Sequence, residues 1–264
     1  MNSIDEQRRD SFGSVAELYD LVRPSYPDKL VEDVARYASI TEASRILEIG
    51  AGTGKATRLF CRYNAALLAV EPSPEMAQVL ERNTQGAGNV EISRNRFEDL
   101  QLSDSSFDLV FSAQAFHWVP KDTGYAVTSR ILKPGGAFAL FYNASQPEDW
   151  DPAVRNGLDV VYARHFPGAD SGKERKWIQS RIDETLSEIV KTGIFPGPEV
   201  RAYPWKQWYS TESYLQLLDT YSEIRVMENS KRTDFLSEVR NVLDKNRGGI
   251  EMPYQALLFL ARRK

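Results

Sequence analysis

Residues 45–54, Arg45-Ile46-Leu47-Glu48-Ile49-Gly50-Ala51-Gly52-Thr53-Gly54, set the tightest limit on what this chain folds into. An apolar run of strand length passes straight into three glycines at alternate positions, and a helix-compatible stretch follows. A strand ending in closely spaced glycines before a helix lets the backbone approach a ligand that a Cβ would block. The spacing is G-x-G-x-G. A dinucleotide fingerprint requires glycine at position 55, where Lys55 stands, and a phosphate loop requires Ser or Thr after Gly-Lys, where Ala56 follows. Glu48 beside the loop sits poorly against a pyrophosphate and suits a cationic ligand. Glu71 closes the next apolar run, where an acid accepts hydrogen bonds from two ribose hydroxyls. The plainer alternatives are a simple turn after a strand and an acid that caps a helix.

Further strands are predicted at Ala66–Val70, Val90–Arg94, Phe107–Ser112 and Gly136–Tyr142, with helical stretches at about 55–63, 74–83 and 123–132. Strands alternating with helices imply crossover units and a mainly parallel sheet. Upstream, Pro24 and Pro27 forbid a continuous helix, and Asp28 is placed as the N-cap of a helix reaching about Ala38. The rhythm changes after Asn143. Residues 150–193 read as charged helices, Glu199–Tyr209 as a strand, 211–246 as helix and Pro253–Arg262 as a last strand. The expected fold class is therefore α/β, a doubly wound, seven-stranded, mainly parallel sheet with helical insertions capping its carboxyl edge. No repeat or linker divides the chain, so 1–264 is expected to be one domain. Its binding core would lie at about 40–143 and its substrate-cap insertions at about 144–195 and 211–246.

Charge and cysteine usage exclude several classes. Lys and Arg total 33 against 37 Asp and Glu, a net charge of -4, whereas nucleic-acid phosphates are held by a basic surplus. Cys61 is the only cysteine, so neither an intramolecular disulfide nor a cysteine metal cluster forms, and no metal is expected. The longest apolar stretches, Ala65–Val70 and Ala256–Ala261, are far below the ~18 residues of a membrane span, and the first residues lack the apolar core of a signal peptide. The expectation is a cytoplasmic monomer or homodimer whose partner is a small molecule, neither nucleic acid nor membrane.

Glu48 to Gly54 resembles, position for position, the E/D-x-G-x-G-x-G signature of class I S-adenosylmethionine-dependent methyltransferases, whose sheet is Rossmann-like. The similarity continues through Glu71-Pro72-Ser73-Pro74-Glu75-Met76, Phe97-Glu98-Asp99-Leu100, Ser105-Ser106-Phe107-Asp108-Leu109-Val110 and Ile131-Leu132-Lys133-Pro134-Gly135-Gly136. Ala115-Phe116-His117-Trp118 and the N-terminal Tyr19-x-x-x-Arg23-Pro24-x-Tyr26-Pro27 resemble a small-molecule branch that includes trans-aconitate and ubiquinone-pathway-type methyltransferases. The resemblance implies S-adenosylmethionine as cofactor and S-adenosylhomocysteine as product. It implies that Gly50, Gly52 and Gly54 cradle the methionine and ribose portions, with Glu48 near the cationic amino-acid end and Glu71 on the ribose. It further implies Pro72 and Met76 on one face of the adenine, and the Phe97 amide and Glu98 at its edge. Gln114 and Ala115 would abut the sulfonium, and Tyr19 and Arg23 would close over the methionine carboxylate. Relatives often carry Asp where this chain has Arg96.

For the acceptor, oxygen is the first expectation, with nitrogen and carbon as alternatives. A carboxylate needs no base in a displacement, whereas a phenol, alcohol, protonated amine or carbon acid does. His117, just after the fourth strand and of a residue type that titrates near neutrality, is the expected catalytic base; an orienting or packing role is the alternative. His165 is a weaker choice. Trp150, Trp177, Trp205 and Trp208, with Tyr142, Tyr162, Phe166, Tyr203, Tyr209 and Tyr221, either line an aromatic pocket or simply pack the fold. The run Lys173-Glu174-Arg175-Lys176 reads as a solvated helix start. Two other functions fit less well: a protein that binds S-adenosylmethionine without transferring methyl, and a nicotinamide-dependent oxidoreductase.

Overall fold

The computed structural model describes residues 15–167 and 173–264, apart from the side chains of residues 173–177. The Trp177 and Lys173–Lys176 expectations therefore lie outside the described residues. Helices α1 (Ala16–Val22) and α2 (Asp28–Tyr37) precede β1 (Arg45–Ile49). Then come α3 (Thr57–Cys61), β2 (Ala66–Val70), α4 (Pro74–Asn83), β3 (Val90–Ser93), β4 (Phe107–Ala113), α5 (Lys121–Ile131) and β5 (Leu132–Ser145). The later part holds α6 (Pro152–His165), α7 (Lys173–Lys191), β6 (Glu199–Ser210), α8 (Thr211–Leu218), α9 (Ser222–Arg225), α10 (Asn229–Lys245) and β7 (Gly249–Arg262).

Side chains alternate across a strand, and that alternation makes the layers. β1 sends Ile46 to one face and Leu47 and Ile49 to the other; β5 sends Ala139 and Phe141 to the first and Phe138, Leu140 and Tyr142 to the second. The first face is covered by Leu30, Val31 and Val34 of α2 and Phe60 of α3. The second is covered by Tyr125 and Ile131 of α5 and by Ile178, Ile182, Leu186 and Ile189 of α7.

The strand order is β3-β2-β1-β4-β5-β7-β6. β1 to β5 pair in parallel, and β7 runs antiparallel between β5 and β6. The expected α/β sheet of five parallel strands plus two from the C-terminal part is thus the observed one. The chain runs from β1 outward to β3 and returns on the other side at β4. That reversal opens a crevice beyond the carboxyl ends of β1 and β4, the place where open α/β sheets bind ligands.

Several boundaries differ for local reasons. Pro27, in extended conformation, is the cap of α2; Asp28 lies in the first turn, where a carboxylate favours the helix dipole, and pairs with Arg62 at 2.7 Å. α3 is shorter than 55–63 because the glycine turn carries through Ala56. β7 starts at Gly249 rather than Pro253. Pro253 sits one residue beyond the last β5 pair, Ser145 with Tyr254, where it needs only its carbonyl, which accepts from the Gln146 N–H at 2.9 Å. The 144–195 segment divides. α6 joins α8, α9 and α10 in a cluster where Val154, Leu158, Tyr214, Leu218 and Phe235 pack on Met252 and Tyr254 of β7 and on Val22 of α1. The second half of α7 lies on the sheet instead. Among the described residues no helix is long and apolar enough to cross a membrane.

Candidate functional site

The glycine loop fills the β1–β4 crevice. Gly50 and Ala51 both donate to the Val70 carbonyl, at 2.9 and 3.0 Å, which folds the loop over the end of β2. Its glycines do different work. A Cβ on Gly50 would lie 2.3 Å from the Ala115 Cβ, and one on Gly54 2.7 Å from Leu80 Cδ1; one on Gly52 would meet nothing within 4 Å. Gly52, at φ +58, opens onto free space in a conformation that favours glycine. Gly50 and Gly52 line the two cavities of the crevice and Gly54 lines neither. The expectation that all three glycines cradle a ligand is corrected at Gly54, which lets the loop pack on α4.

The larger cavity, about 590 Å³, lies on the β2 side and includes Glu71, Pro72, Met76, Phe97 and Glu98 in its walls. Glu71 is buried; its Oε2 accepts from the Gly52 N–H and its Oε1 from the Ser73 N–H, both at 2.8 Å. Burial pushes its pKa up, against those two donors. One acid thereby fixes the glycine loop and the turn into α4 while each oxygen keeps a second lone pair. Ser73 caps α4 by accepting from the Met76 N–H, and Pro74 stands at the first helical position. Gln114, Ala115, His117 and Arg96 also line this cavity.

The smaller cavity, about 350 Å³, lies on the β4–β5 side and reaches Glu48. Glu48 is fully buried. Its Oε2 accepts from the Thr57 hydroxyl at 2.5 Å, while its Oε1 has no partner among the described residues. Burial raises its pKa to about 8, with the Thr57 bond opposing and the Glu71 charge adding to the shift. Thr53 lines the same cavity with a buried Oγ1 that has no partner among the described residues. Lys55 donates to the Asp20 carbonyl at 2.6 Å, and burial lowers its pKa. Tyr19, Arg23, Gly50, Gly52, Ala113 and Gln114 line both cavities and mark their junction. Arg23 donates from Nε to Thr220 Oγ1 (2.8 Å) and from Nη2 to the Thr220 carbonyl (3.0 Å), and its guanidinium lies 4.2 Å from the Tyr221 ring centroid. Gln114 adopts φ +61, donating its N–H to the Phe141 carbonyl at 3.0 Å and its Nε2 to the Asn143 carbonyl at 3.2 Å.

S-adenosylmethionine fits these walls. The orphaned Glu48 Oε1 and Thr53 Oγ1 suit an ammonium, the half-used Glu71 carboxylate suits a diol, and Gly52 leaves open the space between. Among the described residues no group of three His, Cys, Asp or Glu is placed to hold a metal.

His117 lies on the Glu71 side, in the short 3-10 turn Phe116–Trp118, with its ring centroid 4.6 Å from that of Trp118 and its side chain exposed. Desolvation by the surrounding walls and the positive charge of Arg181 push its pKa down to about 4, not near neutrality. At that pKa the imidazole is neutral near pH 7 and free to accept a hydrogen bond, but it is a weak base. His165 lies 3.3 Å from Glu238 and packs on Phe235, lining neither cavity. Of the aromatic set, Tyr221 alone among the described residues lines either of these two cavities. Trp205 stacks on Tyr254 and donates to Asn143 Oδ1 (3.2 Å), and Tyr162 and Phe166 pack against Phe235. Trp208 is half exposed on the edge strand β6. Sequence reasoning missed Thr53, Lys55, Asn143, Ser145 and Tyr254 as walls of the smaller cavity. For Thr53 and Lys55 a signal existed, since both sit inside the loop motif; for the others none did.

Comparison with known proteins agrees with this geometry. Residues 47–140 match a family model described as a methyltransferase domain. An uncharacterized methyltransferase-like protein of Schizosaccharomyces pombe is 28% identical over 257 residues, 93% of each chain. A protein of Saccharomyces cerevisiae named as a probable S-adenosylmethionine-dependent methyltransferase is 34% identical over 148 residues, 54% of this chain and 50% of that one. Among solved structures, phosphoethanolamine N-methyltransferase 2 of Haemonchus contortus, in complex with phosphomonomethylethanolamine and S-adenosylhomocysteine, superposes with a TM-score of 0.55 at 18% identity, over 95% of this chain and 57% of that one. The YcgJ protein of Bacillus subtilis superposes with a TM-score of 0.56 at 18% identity, over 89% of this chain and 98% of that one.

Proposed function

We infer that this chain, a class I S-adenosylmethionine-dependent methyltransferase, methylates an oxygen atom of a small-molecule acceptor by direct displacement. The observation that carries the reading is the smaller cavity, which continues past Gln114 to Asn143, Ser145, Tyr221 and Tyr254 within a volume of about 350 Å³. Such a space admits a small molecule and is walled partly by Tyr221, between α8 and α9, and by Tyr254 of β7. An oxygen acceptor is favoured because a carboxylate oxygen needs no base near neutral pH, whereas a protonated amine or a carbon acid does, and a His117 pKa of about 4 makes that ring a weak base.

On this reading the core at about 40–143 holds the cofactor, and the C-terminal helices α6 and α8–α10 cap the acceptor. When bound, the cofactor supplies a methyl group on a sulfonium sulfur. Glu71 holds the ribose, Pro72 and Met76 one face of the adenine, and the Phe97 amide and Glu98 its edge. Glu48 and Thr53 receive the ammonium, Gln114 and Ala115 stand beside the sulfonium, and Tyr19 covers the junction. The protein's contribution is orientation and the exclusion of water.

The test is incubation with ¹³C-methyl S-adenosylmethionine and a small-molecule extract. S-adenosylhomocysteine should form in proportion to a low-mass product whose carbon-13 shift is that of an O-methyl group. An N- or C-methyl signal would overturn the oxygen assignment, and turnover without S-adenosylhomocysteine would overturn methyl transfer.

A further inference from the structure

We propose that Arg23 holds a carboxylate of the methyl acceptor, and that Lys55 takes the carboxylate of the cofactor. The proposal rests on the reading that the joined cavities hold S-adenosylmethionine. It begins from a count of charges. Two cations, Arg23 and Lys55, line the smaller cavity, and neither forms an ion pair among the described residues. Among the described residues the Arg23 side chain bonds to the Thr220 hydroxyl and carbonyl and that of Lys55 to the Asp20 carbonyl; the Asp20 carboxylate acts on Lys55 through its charge alone and is engaged by Arg58 at 3.3 Å. Glu48 is the carboxyl in this wall, buried with one oxygen on Thr57. The cofactor brings one carboxylate. One cation is left over.

Position decides which. The unpartnered oxygens of Glu48 and Thr53 mark the end of the smaller cavity that receives the amino-acid terminus, and Lys55, two residues beyond Thr53, lines that cavity alone. Arg23 lines both cavities. It therefore stands at the junction, through which the sulfur linking nucleoside to amino acid must pass. A guanidinium beside a sulfonium is repulsive unless an anion lies between them. The acceptor is the component free to supply one.

The local geometry suits that anion. Nε and Nη2 of Arg23 are spent on Thr220, whereas Nη1 donates to no described residue, and the guanidinium lies against the Tyr221 and Tyr19 rings at 4.2 and 5.2 Å. Aromatic walls on the cation reduce its hydration, so a carboxylate oxygen on Nη1 makes a strong charge-assisted bond. The second carboxylate oxygen remains free to react. Its lone pair forms the new O–C bond as the C–S bond breaks, and the breaking pair stays on sulfur. The products are a methyl ester and a neutral thioether, and no proton is removed. That balance asks the cavity for no base.

Calorimetry with S-adenosylmethionine and its decarboxylated analogue separates the two cations. Lys55→Met should erase most of the parent's preference for the carboxylated ligand, about tenfold, while Arg23→Gln should keep that preference. The reverse result would overturn the assignment. The second measurement uses protein loaded with S-adenosylhomocysteine and labelled with ¹⁵N-arginine, the Arg23 Nε–H resonance being identified by its loss in Arg23→Lys. Acetate should move that resonance and acetamide should not; no shift with acetate, or equal shifts with both, would overturn the acceptor-carboxylate role. A parent protein that binds neither S-adenosylmethionine nor S-adenosylhomocysteine would instead overturn the cofactor reading, a separate failure.

Discussion

The Glu71 cavity and the Glu48 cavity share the glycine loop, yet their acids are held in opposite ways. Both carboxyls are buried at the carboxyl ends of neighbouring strands. Glu71 already accepts two backbone N–H bonds, which fix the loop and the turn into α4 whether or not a ligand is present. Glu48 has one oxygen on Thr57 and one with no partner among the described residues. The first site is pre-built, and the second is completed by the positive charge of what binds. The difference extends to the walls. Most residues around Glu71 come from the stretch 49–119, whereas the Glu48 cavity also draws on Tyr26, Asn143, Ser145, Tyr221 and Tyr254.

The largest effect is expected where the two cavities meet. Gly52→Val should abolish S-adenosylmethionine binding, because the new side chain fills the space that is empty within 4 Å of its Cβ. Both variants are strained at positive φ and should melt below the parent, but Gly54→Ala, whose new methyl meets Leu80 rather than the cavity, should keep measurable binding. Calorimetry and a melting curve on both variants check this. Equal loss of binding and of stability in the two would erase the distinction between ligand-facing and packing glycines.

That distinction shows how far the sequence is legible. The strand–glycine–strand rhythm is encoded within short windows, so β1, β2, β4 and the acids Glu48 and Glu71 were readable from local pattern. Which glycine faces open space was not, because the answer depends on Ala115 and Leu80, distant in sequence from the loop. The aromatic residues of the C-terminal half were readable as large and apolar, but helix packing and pocket lining use the same residue types. Tyr254 reaches the site because β7 runs antiparallel beside β5, placing it opposite Ser145. No local signal encodes that register.

Next in size is Glu71→Ala. It leaves the Gly52 and Ser73 N–H groups without their acceptor and removes the expected ribose partner, so affinity should fall by about 1–3 kcal/mol. Calorimetry with adenosine as well as S-adenosylmethionine sharpens the comparison: both ligands should weaken together. A loss confined to S-adenosylmethionine would move Glu71 to the amino-acid end.

Glu48 should reveal itself through pH. Its folded pKa of about 8 lies above its unfolded value, so the folded protein keeps a proton that the unfolded chain has released. The stability it contributes is fully present below the ordinary carboxyl range and is lost as pH rises through about 8. The free protein should therefore melt lower at pH 8 than at pH 6, and Glu48→Gln should flatten that slope. A cationic ligand requires the ionised form, so S-adenosylmethionine affinity should rise with pH below 8, by at most about tenfold per unit, with a proton released on binding. Calorimetry in buffers of different ionisation enthalpy measures that proton. Binding without proton release at pH 7 would show Glu48 already ionised and the two acids more alike than their bonding suggests.

The smallest effect is expected at His117, which belongs by placement to the pre-built cavity. Its pKa of about 4 leaves the imidazole neutral throughout pH 6–8, so no protonation step of this ring falls in that range. His117→Asn keeps a hydrogen-bonding group of similar reach but removes the imidazole. Turnover on the true acceptor should fall by less than the 10²–10⁴-fold typical of a lost general base, and the pH–rate profile between 6 and 8 should keep its shape. A neutral orienter loses alignment in such a variant, which appears as a modest change at every pH. A drop of 10²–10⁴-fold accompanied by loss of a limb near neutrality would mean that the acceptor raises the His117 pKa on binding. In that case the two cavities would cooperate in proton transfer, and a base-dependent acceptor would replace the anionic one held at Arg23.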